Sequence, residues 1–172
     1  MRDMMPADVD AVLTIEQAVQ AYPWTRGNFM DALSNGYVCR VDSEEPFDYA
    51  QDRLVAGHPE DEGAIRSYAV LMPVLDEAEL LSIGVATEQQ RKGLGRAMLS
   101  EILSLARAKN LRRVFLEVSA SNVAALALYR SSGFSGIGVR RGYYQNANGS
   151  EDAITMACEL TQLSPPPHAG EG

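Results

Sequence analysis

The sequence predicts a mixed α/β (α+β) domain in which a mostly antiparallel, twisted sheet of about six or seven strands is flanked by about four helices. Three observations predict it. Four segments repeat apolar residues at three- and four-residue spacing, as one face of a helix does. Six shorter runs alternate or are rich in β-branched residues, and the two kinds of segment are interleaved along the chain. At 172 residues the chain is long enough for one core, and a single domain over 1–160 is expected.

The first helix is read at 7–19, where Val9, Val12, Leu13, Ile15, Ala18 and Val19 share a face. Pro6 suits its first turn, although Met5 is a poor cap. A second helix runs over 25–34, capped by Thr25 and ended by Asn35-Gly36. A short strand at 37–41 follows, then a hairpin of 67–74 and 79–86 around Leu75-Asp76-Glu77-Ala78. The intervening 43–64 is acidic, carries prolines and glycines and has no sustained period, so a mobile loop is expected there. Residues 93–110 form the clearest helix, with Leu94, Met98, Leu99, Ile102, Leu103, Leu105 and Ala106 on a broad apolar face. Beyond it lie a strand at 114–118, a helix at 122–131 closed by Gly133, and strands at 134–140 and 153–159. The proline- and glycine-rich tail, 161–172, is expected to be disordered.

Composition narrows the function classes. A net charge of −8 argues against direct nucleic-acid binding, which draws affinity from cations on phosphates. An acidic surface suits a basic peptide, and equally it keeps a protein soluble. No run of about 18 apolar residues occurs, and the start of the chain has no basic segment followed by an apolar one. No membrane partner is therefore expected, and a cytoplasmic location follows by default. Cys39 and Cys158 fall in strand-like runs and read as reduced core residues. No metal site is expected.

The run Gln90-Arg91-Lys92-Gly93-Leu94-Gly95-Arg96 joins a strand to the strongest helix. Backbone N–H groups and the positive end of the helix dipole converge there, which makes an anion site. Gly93 and Gly95 remove side chains that would block a phosphate, and Arg91, Lys92 and Arg96 add positive charge. The spacing is neither that of a nucleoside triphosphatase nor that of a dinucleotide fold.

Glu117 puts a carboxylate into a strand of valine, phenylalanine and leucine, on the face opposite Leu116 and Val118. If that face lines a cleft, Glu117 can hold a water and take a proton; otherwise it is a strand residue paired to a cation. Asn122 and Tyr129, seven apart, fall within about 20° of one another on an ideal helix and can face one ligand. A phenol with a pKa near 10 is matched to protonating a departing thiolate. The alternative is that Tyr129 packs in the core and Asn122 caps a helix.

Residues 90–96, in their place between strand and helix, resemble the acetyl-CoA motif of the GNAT superfamily of N-acetyltransferases, and the resemblance runs from Glu79 to Phe134. Within it the chain is similar to the RimI family of ribosomal-protein alanine acetyltransferases. The outer segments Tyr22-Pro23-Trp24, Arg140-Arg141-Gly142-Tyr143-Tyr144 and Glu151-Asp152-Ala153-Ile154 extend the likeness. The resemblance implies a GNAT fold with a parallel, splayed strand pair at the cosubstrate site. It implies acetyl-CoA as cosubstrate, with Ile83, Gly84 and Val85 at the pantetheine and thioester, the Val85 N–H facing the oxyanion, and Arg91, Lys92, Gly93, Leu94, Gly95 and Arg96 at the pyrophosphate. Asn122 would contact the cofactor, Glu117 act as general base and Tyr129 as general acid. Tyr143 and Tyr144 would clasp the substrate backbone. The implied substrate is a protein N-terminus, that of the eighteenth protein of the small ribosomal subunit, beginning with alanine. Acetylation of a small amine or of lysine, and a non-catalytic acyl-CoA-binding module, are the alternatives. The resemblance also marks 43–64 as an insertion and the first strand, about residues 1–5, as clipped.

Overall fold

The computed structural model describes residues 1–44, 47–48, 53–54 and 63–160. The 161–172 tail and most of the 43–64 stretch lie outside them. Along the chain come β1 (Arg2–Asp3), α1 (Val9–Val19), α2 (Arg26–Ser34), β2 (Val38–Ser43), β3 (Phe47–Asp48), β4 (Arg53–Leu54), β5 (Ile65–Val74), β6 (Glu77–Val85), α3 (Leu94–Ala108), β7 (Arg113–Ser119), α4 (Val123–Ser131), β8 (Ser135–Asn146) and β9 (Gly149–Glu159). Seven strands form one sheet in the order β1-β2-β5-β6-β7-β9-β8, antiparallel except at β6–β7. The β3–β4 pair falls inside the stretch expected to be a loop. No helix among the described residues is long and apolar enough to cross a membrane.

Local chemistry accounts for the element ends. Met5, the poor cap, is supplemented by Asp8, whose carboxylate accepts from the Met5 N–H at 2.7 Å and is itself held by two Arg2 nitrogens at 2.7 Å. Thr25 caps α2 through the Asn28 N–H. The first hairpin turns more tightly than its sequence suggests: Val74 pairs with Glu77, so only Leu75 and Asp76 form the turn, Leu75 taking φ 57°. The last two strands run further than hydropathy marked, to Asn146 and back from Gly149, because cross-strand pairing carries the polar residues along.

The sheet has a core on each face. Along β5, Tyr68 and Val70 point to one side with Val9, Val12 and Ile15 of α1 and Phe29 and Ala32 of α2. Ala69 and Leu71 point to the other, with Met98, Leu99, Ile102 and Ala106 of α3 and Leu126 and Tyr129 of α4. This alternation is the two-residue period of a strand buried on both faces. Cys39 and Cys158 are buried and unbridged.

The parallel pair β6–β7 is joined at only three positions, Glu77 to Arg113, Ala78 to Val114 and Glu79 to Phe115. Two residues further on, Leu81 is an extra residue in β6, since Val70 pairs with Ser82 and Leu71 with Leu80. Such a bulge bends and twists its strand, and here it accompanies the parting of β6 from β7. The splayed pair is thereby present. Beyond the bulge, Gly84 lies under the Tyr68 ring, where a Cβ would stand 2.5 Å from Tyr68 Cε1. Gly84→Ala is therefore expected to lower stability by about 1–3 kcal/mol, the usual cost of overpacking. Gly138→Ala, whose added methyl would meet nothing within 4 Å, is the control. Equal denaturation midpoints for the two variants would refute the steric account.

Candidate active site at the split in the sheet

The glycine-containing turn is built as its sequence suggests. Arg91 takes φ 62° and Gly93 φ 84°, after which Gly93 becomes the N-cap of α3 and its carbonyl accepts from Ala97 at 3.0 Å. The N–H groups that follow point out of the helix end with no intrahelical acceptor. Space above Gly93 is open to 4 Å. Gly95 faces Val85 and Leu128, where an added Cβ would stand 3.6 and 3.5 Å from their side chains, so the helix end sits directly beside the tip of β6 and beside α4. Arg91, Lys92 and Arg96 are exposed; Lys92 reaches Gln89 at 3.1 Å and Arg96 reaches Ser131 at 3.3 Å.

Hydrogen-bond alternation decides which backbone groups of β6 face the split. The Ala86 N–H donates to Arg66 O, so residues 86, 84 and 82 bond across to β5, while Ile83 and Val85 turn their N–H and C=O away from it, toward the opening. Gln20 Nε2 donates to Ile83 O at 2.8 Å and Gln90 Nε2 to Val85 O at 3.3 Å. Of the three residues expected here, Ile83 and Val85 line the opening, and Gly84 serves from behind by letting Tyr68 close over it.

Glu117 emerges on the face opposite Val114, Leu116 and Val118, all of which are buried. Its side chain is 13% exposed and meets Arg140 Nε at 2.8 Å. The phenol of Tyr143 donates to the same carboxylate, and that bond is the main reason its pKa is raised. A second carboxylate, Glu79, shares this face; partial burial and the charge of Glu117 push it above the usual carboxylate range, with Arg140 opposing. The sequence alone assigns neither Glu79 nor Arg140 a role in the site. Both lie on strands, and only the pairing of β6 with β7, and of β8 with β9 beside β7, brings them to Glu117.

Tyr129 is buried at 8% exposure and packs on Phe134 with ring centroids 5.8 Å apart. Burial, with the Tyr144 phenol adding to it, pushes its pKa up to about 12. The phenol thus holds its proton more firmly than an unperturbed one. Asn122 is exposed and caps α4, its Oδ1 accepting from the Ala125 N–H at 3.1 Å. Because Asn122 lies outside the helical backbone, the helical-wheel spacing that set it beside Tyr129 does not extend to it.

Tyr143 and Tyr144 are neighbours on one strand, where alternation would send them to opposite faces. A bulge prevents this: Arg140 pairs with Ala153 and Tyr144 with Glu151, leaving Arg141, Gly142 and Tyr143 opposite Asp152 alone. Gly142 turns there at φ 60° and its N–H donates to Asp152 Oδ1 at 2.8 Å. Both phenols consequently interact with Glu117. Arg140 lies over the Tyr143 ring at 5.3 Å, and the two tyrosines meet edge to face at 5.1 Å. Across the groove, Tyr22 from the loop between α1 and α2 stacks on Tyr144 at 4.6 Å with an interplanar angle of 12°. In the sequence Tyr22 stands out only as part of a Tyr-Pro-Trp run. Among the described residues, no cluster of His, Cys, Asp and Glu is placed to hold a metal ion.

This arrangement joins a helix amino end flanked by exposed basic residues, a parted strand pair with an N–H aimed into the gap, and a carboxylate with phenols beyond it. Comparison with known proteins agrees with it. The family model for the Acetyltransferase (GNAT) family matches residues 20–134. A [ribosomal protein bS18]-alanine N-acetyltransferase of Escherichia coli K12 is 36% identical over 154 residues, covering 90% of this chain and 93% of that one. The crystal structure of the ribosomal-protein-S18-alanine N-acetyltransferase from Escherichia coli superposes with a TM-score of 0.76 at 32% identity, covering 96% of both chains. A GNAT superfamily phosphinothricin acetyltransferase from Sinorhizobium meliloti, solved in complex with AcCoA, shares the fold with a TM-score of 0.70 at 22% identity, over 98% of this chain and 92% of that one. The motif order, the split sheet and these likenesses together make the chain a member of the GNAT acetyltransferase family.

Proposed function

We propose that this protein transfers the acetyl group of acetyl-CoA to the N-terminal α-amine of a protein, the alanine that begins the ribosomal small-subunit protein bS18, with Glu117 as general base and Tyr129 as general acid. The observation that carries the reading is the placing of Glu117 in a groove walled by Tyr143, Tyr144 and Tyr22, next to the split at Val85. The named activity of the Escherichia coli relative supports the choice of substrate.

The residues present fit the cosubstrate. The end of α3, with Arg91, Lys92, Gly93, Leu94, Gly95 and Arg96, would hold the pyrophosphate, and Ile83 and Val85 would line the pantetheine arm, with Asn122, the cap of α4, contacting the cosubstrate. Bound there, acetyl-CoA supplies an activated acyl carbon. The Val85 N–H is aimed into the gap, where it would stabilise charge gathering on the acyl oxygen. Glu117, through a water, takes the proton of the incoming amine. Arg140 shields that carboxylate in the free enzyme, and because Arg140 is 60% exposed, displacing it costs about 1 kcal/mol or less. An α-amine, with a pKa near 8, is roughly one-tenth neutral at pH 7, so a modest base suffices; a lysine amine near 10.4 would demand more. Tyr129 keeps its proton throughout the physiological range and returns it to the departing thiolate.

Offered labelled acetyl-CoA and short peptides with free or blocked N-termini, the enzyme is expected to label the free α-amine of an N-terminal alanine; label confined to lysine or to small amines by mass spectrometry would reject the proposal. Glu117→Gln should lower kcat at pH 7 by about 10²-fold, the lower range of general-base catalysis, and recover partly at pH 9, with acetyl-CoA KM little changed. Equal kcat at pH 7 would remove Glu117 from the reaction. Tyr129→Phe should slow kcat by roughly tenfold or more without raising peptide KM. Since the folded Tyr129 titrates at about 12, it stays protonated, and able to donate, well above pH 10. The wild-type rate should therefore hold level from about pH 9 to 10.5 once the amine is neutral. A falling limb centred below pH 10 would count against Tyr129 as the acid.

A further inference from the structure

Behind Gly84, on the face away from α3, lies a polar cluster that the proposed chemistry does not use. Glu16 of α1 is 1% exposed. Its Oε1 accepts from the Trp24 N–H at 2.8 Å, and its Oε2 accepts from Ser82 Oγ at 2.9 Å and from the Tyr68 hydroxyl. Burial and the nearby Glu16 push the Tyr68 phenol far above its ordinary value, so it remains a donor. One turn on, Gln20 donates to Ile83 O. Replacing a buried charge by apolar packing is often neutral for stability, so stability alone does not account for a carboxylate here. Its partners do: one is in the loop that carries Tyr22, another is in the strand that carries Ile83 and Val85.

We infer that Glu16 is a positioning residue whose carboxylate ties the loop bearing Tyr22 to β6, and so sets the peptide N-terminus against the acyl carbon. The inference rests on the peptide reading above. Residues 21–23 are bracketed by two fixed points, Gln20 on Ile83 and Trp24 on Glu16, and between them Tyr22 reaches across to Tyr144. A loop so short, anchored at both ends, moves with its anchors.

The test assays the full chain with peptide and acetyl-CoA varied separately. Glu16→Met keeps the bulk but offers no strong acceptor, and is expected to raise peptide KM roughly tenfold, the size of one hydrogen bond to a charged group. Its kcat and acetyl-CoA KM should stay within about twofold, below the effect of one such bond. Glu16→Gln retains an acceptor for the Trp24 N–H and should restore peptide KM to within roughly threefold of wild type. In a Tyr22→Ala background the effect of Glu16→Met should shrink to about twofold, because coupled residues are not additive. Trp24 is the only tryptophan, so acrylamide quenching of its emission reads the loop without any assay of turnover, and should rise in Glu16→Met but not in Glu16→Gln. If Glu16→Met does not fold, Gln20→Met, at a half-buried position, should raise the same KM roughly threefold. A fall in kcat at unchanged peptide KM, full additivity with Tyr22→Ala, or quenching indifferent to Glu16 would each overturn the tether. A wild type that acetylates other amines but no peptide would instead strike at the peptide reading, with the quenching result left to judge the tether.

Discussion

The architecture turns on a ladder that stops. Two parallel strands in the middle of a sheet share three pairings and then part, and a parted pair leaves backbone donors and acceptors facing one another across a gap rather than bonded. Such groups need partners. Two glutamines take up carbonyls on one side, and an acyl group with its amide-rich arm is chemically suited to the remainder. The bulge at Leu81, the glycine beneath Tyr68 and the left-handed turn at Gly93 all serve that one opening, by bending a strand, thinning it and bringing a helix end to its tip.

The two faces of the sheet divide the work. Beneath, α3 and α4 supply apolar packing, and the amino end of α3 sits against Leu128 and Ser131 near the carboxyl end of α4. Above, α1 and α2 cover only part of the sheet, and the uncovered part of β7 carries Glu117 in a setting of mixed sign: another carboxylate, a guanidinium and two phenols. Tyr144 is the meeting point, feeling Glu117 on one side and influencing Tyr129 on the other, so that it links the buried phenol below to the carboxylate above.

Much of this was legible in the sequence where the governing interactions are local. The helix over 93–110 and its glycine turn announce themselves by period and by conformation, and the alternation of Leu116, Glu117 and Val118 is enough to set the carboxylate apart from the core. What escaped depends on chain segments far apart. Glu79 and Arg140 look like ordinary strand charges until strand order puts them beside Glu117. Glu16 sits on the apolar face of α1, and nothing in its own segment shows that Trp24 and Ser82 will converge on it. The bulges were invisible for a different reason: hydropathy records which residues are apolar, and a bulge changes which way they point. Asn122 shows the converse error, where an ideal helix was extended one residue past its true beginning.

The three-against-one bulge at Arg141, Gly142 and Tyr143 has a consequence for how this hairpin tolerates change. What aims both phenols is the number of residues between two paired positions, together with one glycine able to turn at φ 60°. Side-chain replacements there leave the count intact. Deleting two residues would restore one-to-one pairing and strict alternation, turn one ring outward and keep every remaining rung of the ladder, so the protein would fold and the groove would lose a wall. In this segment, length is under tighter constraint than composition.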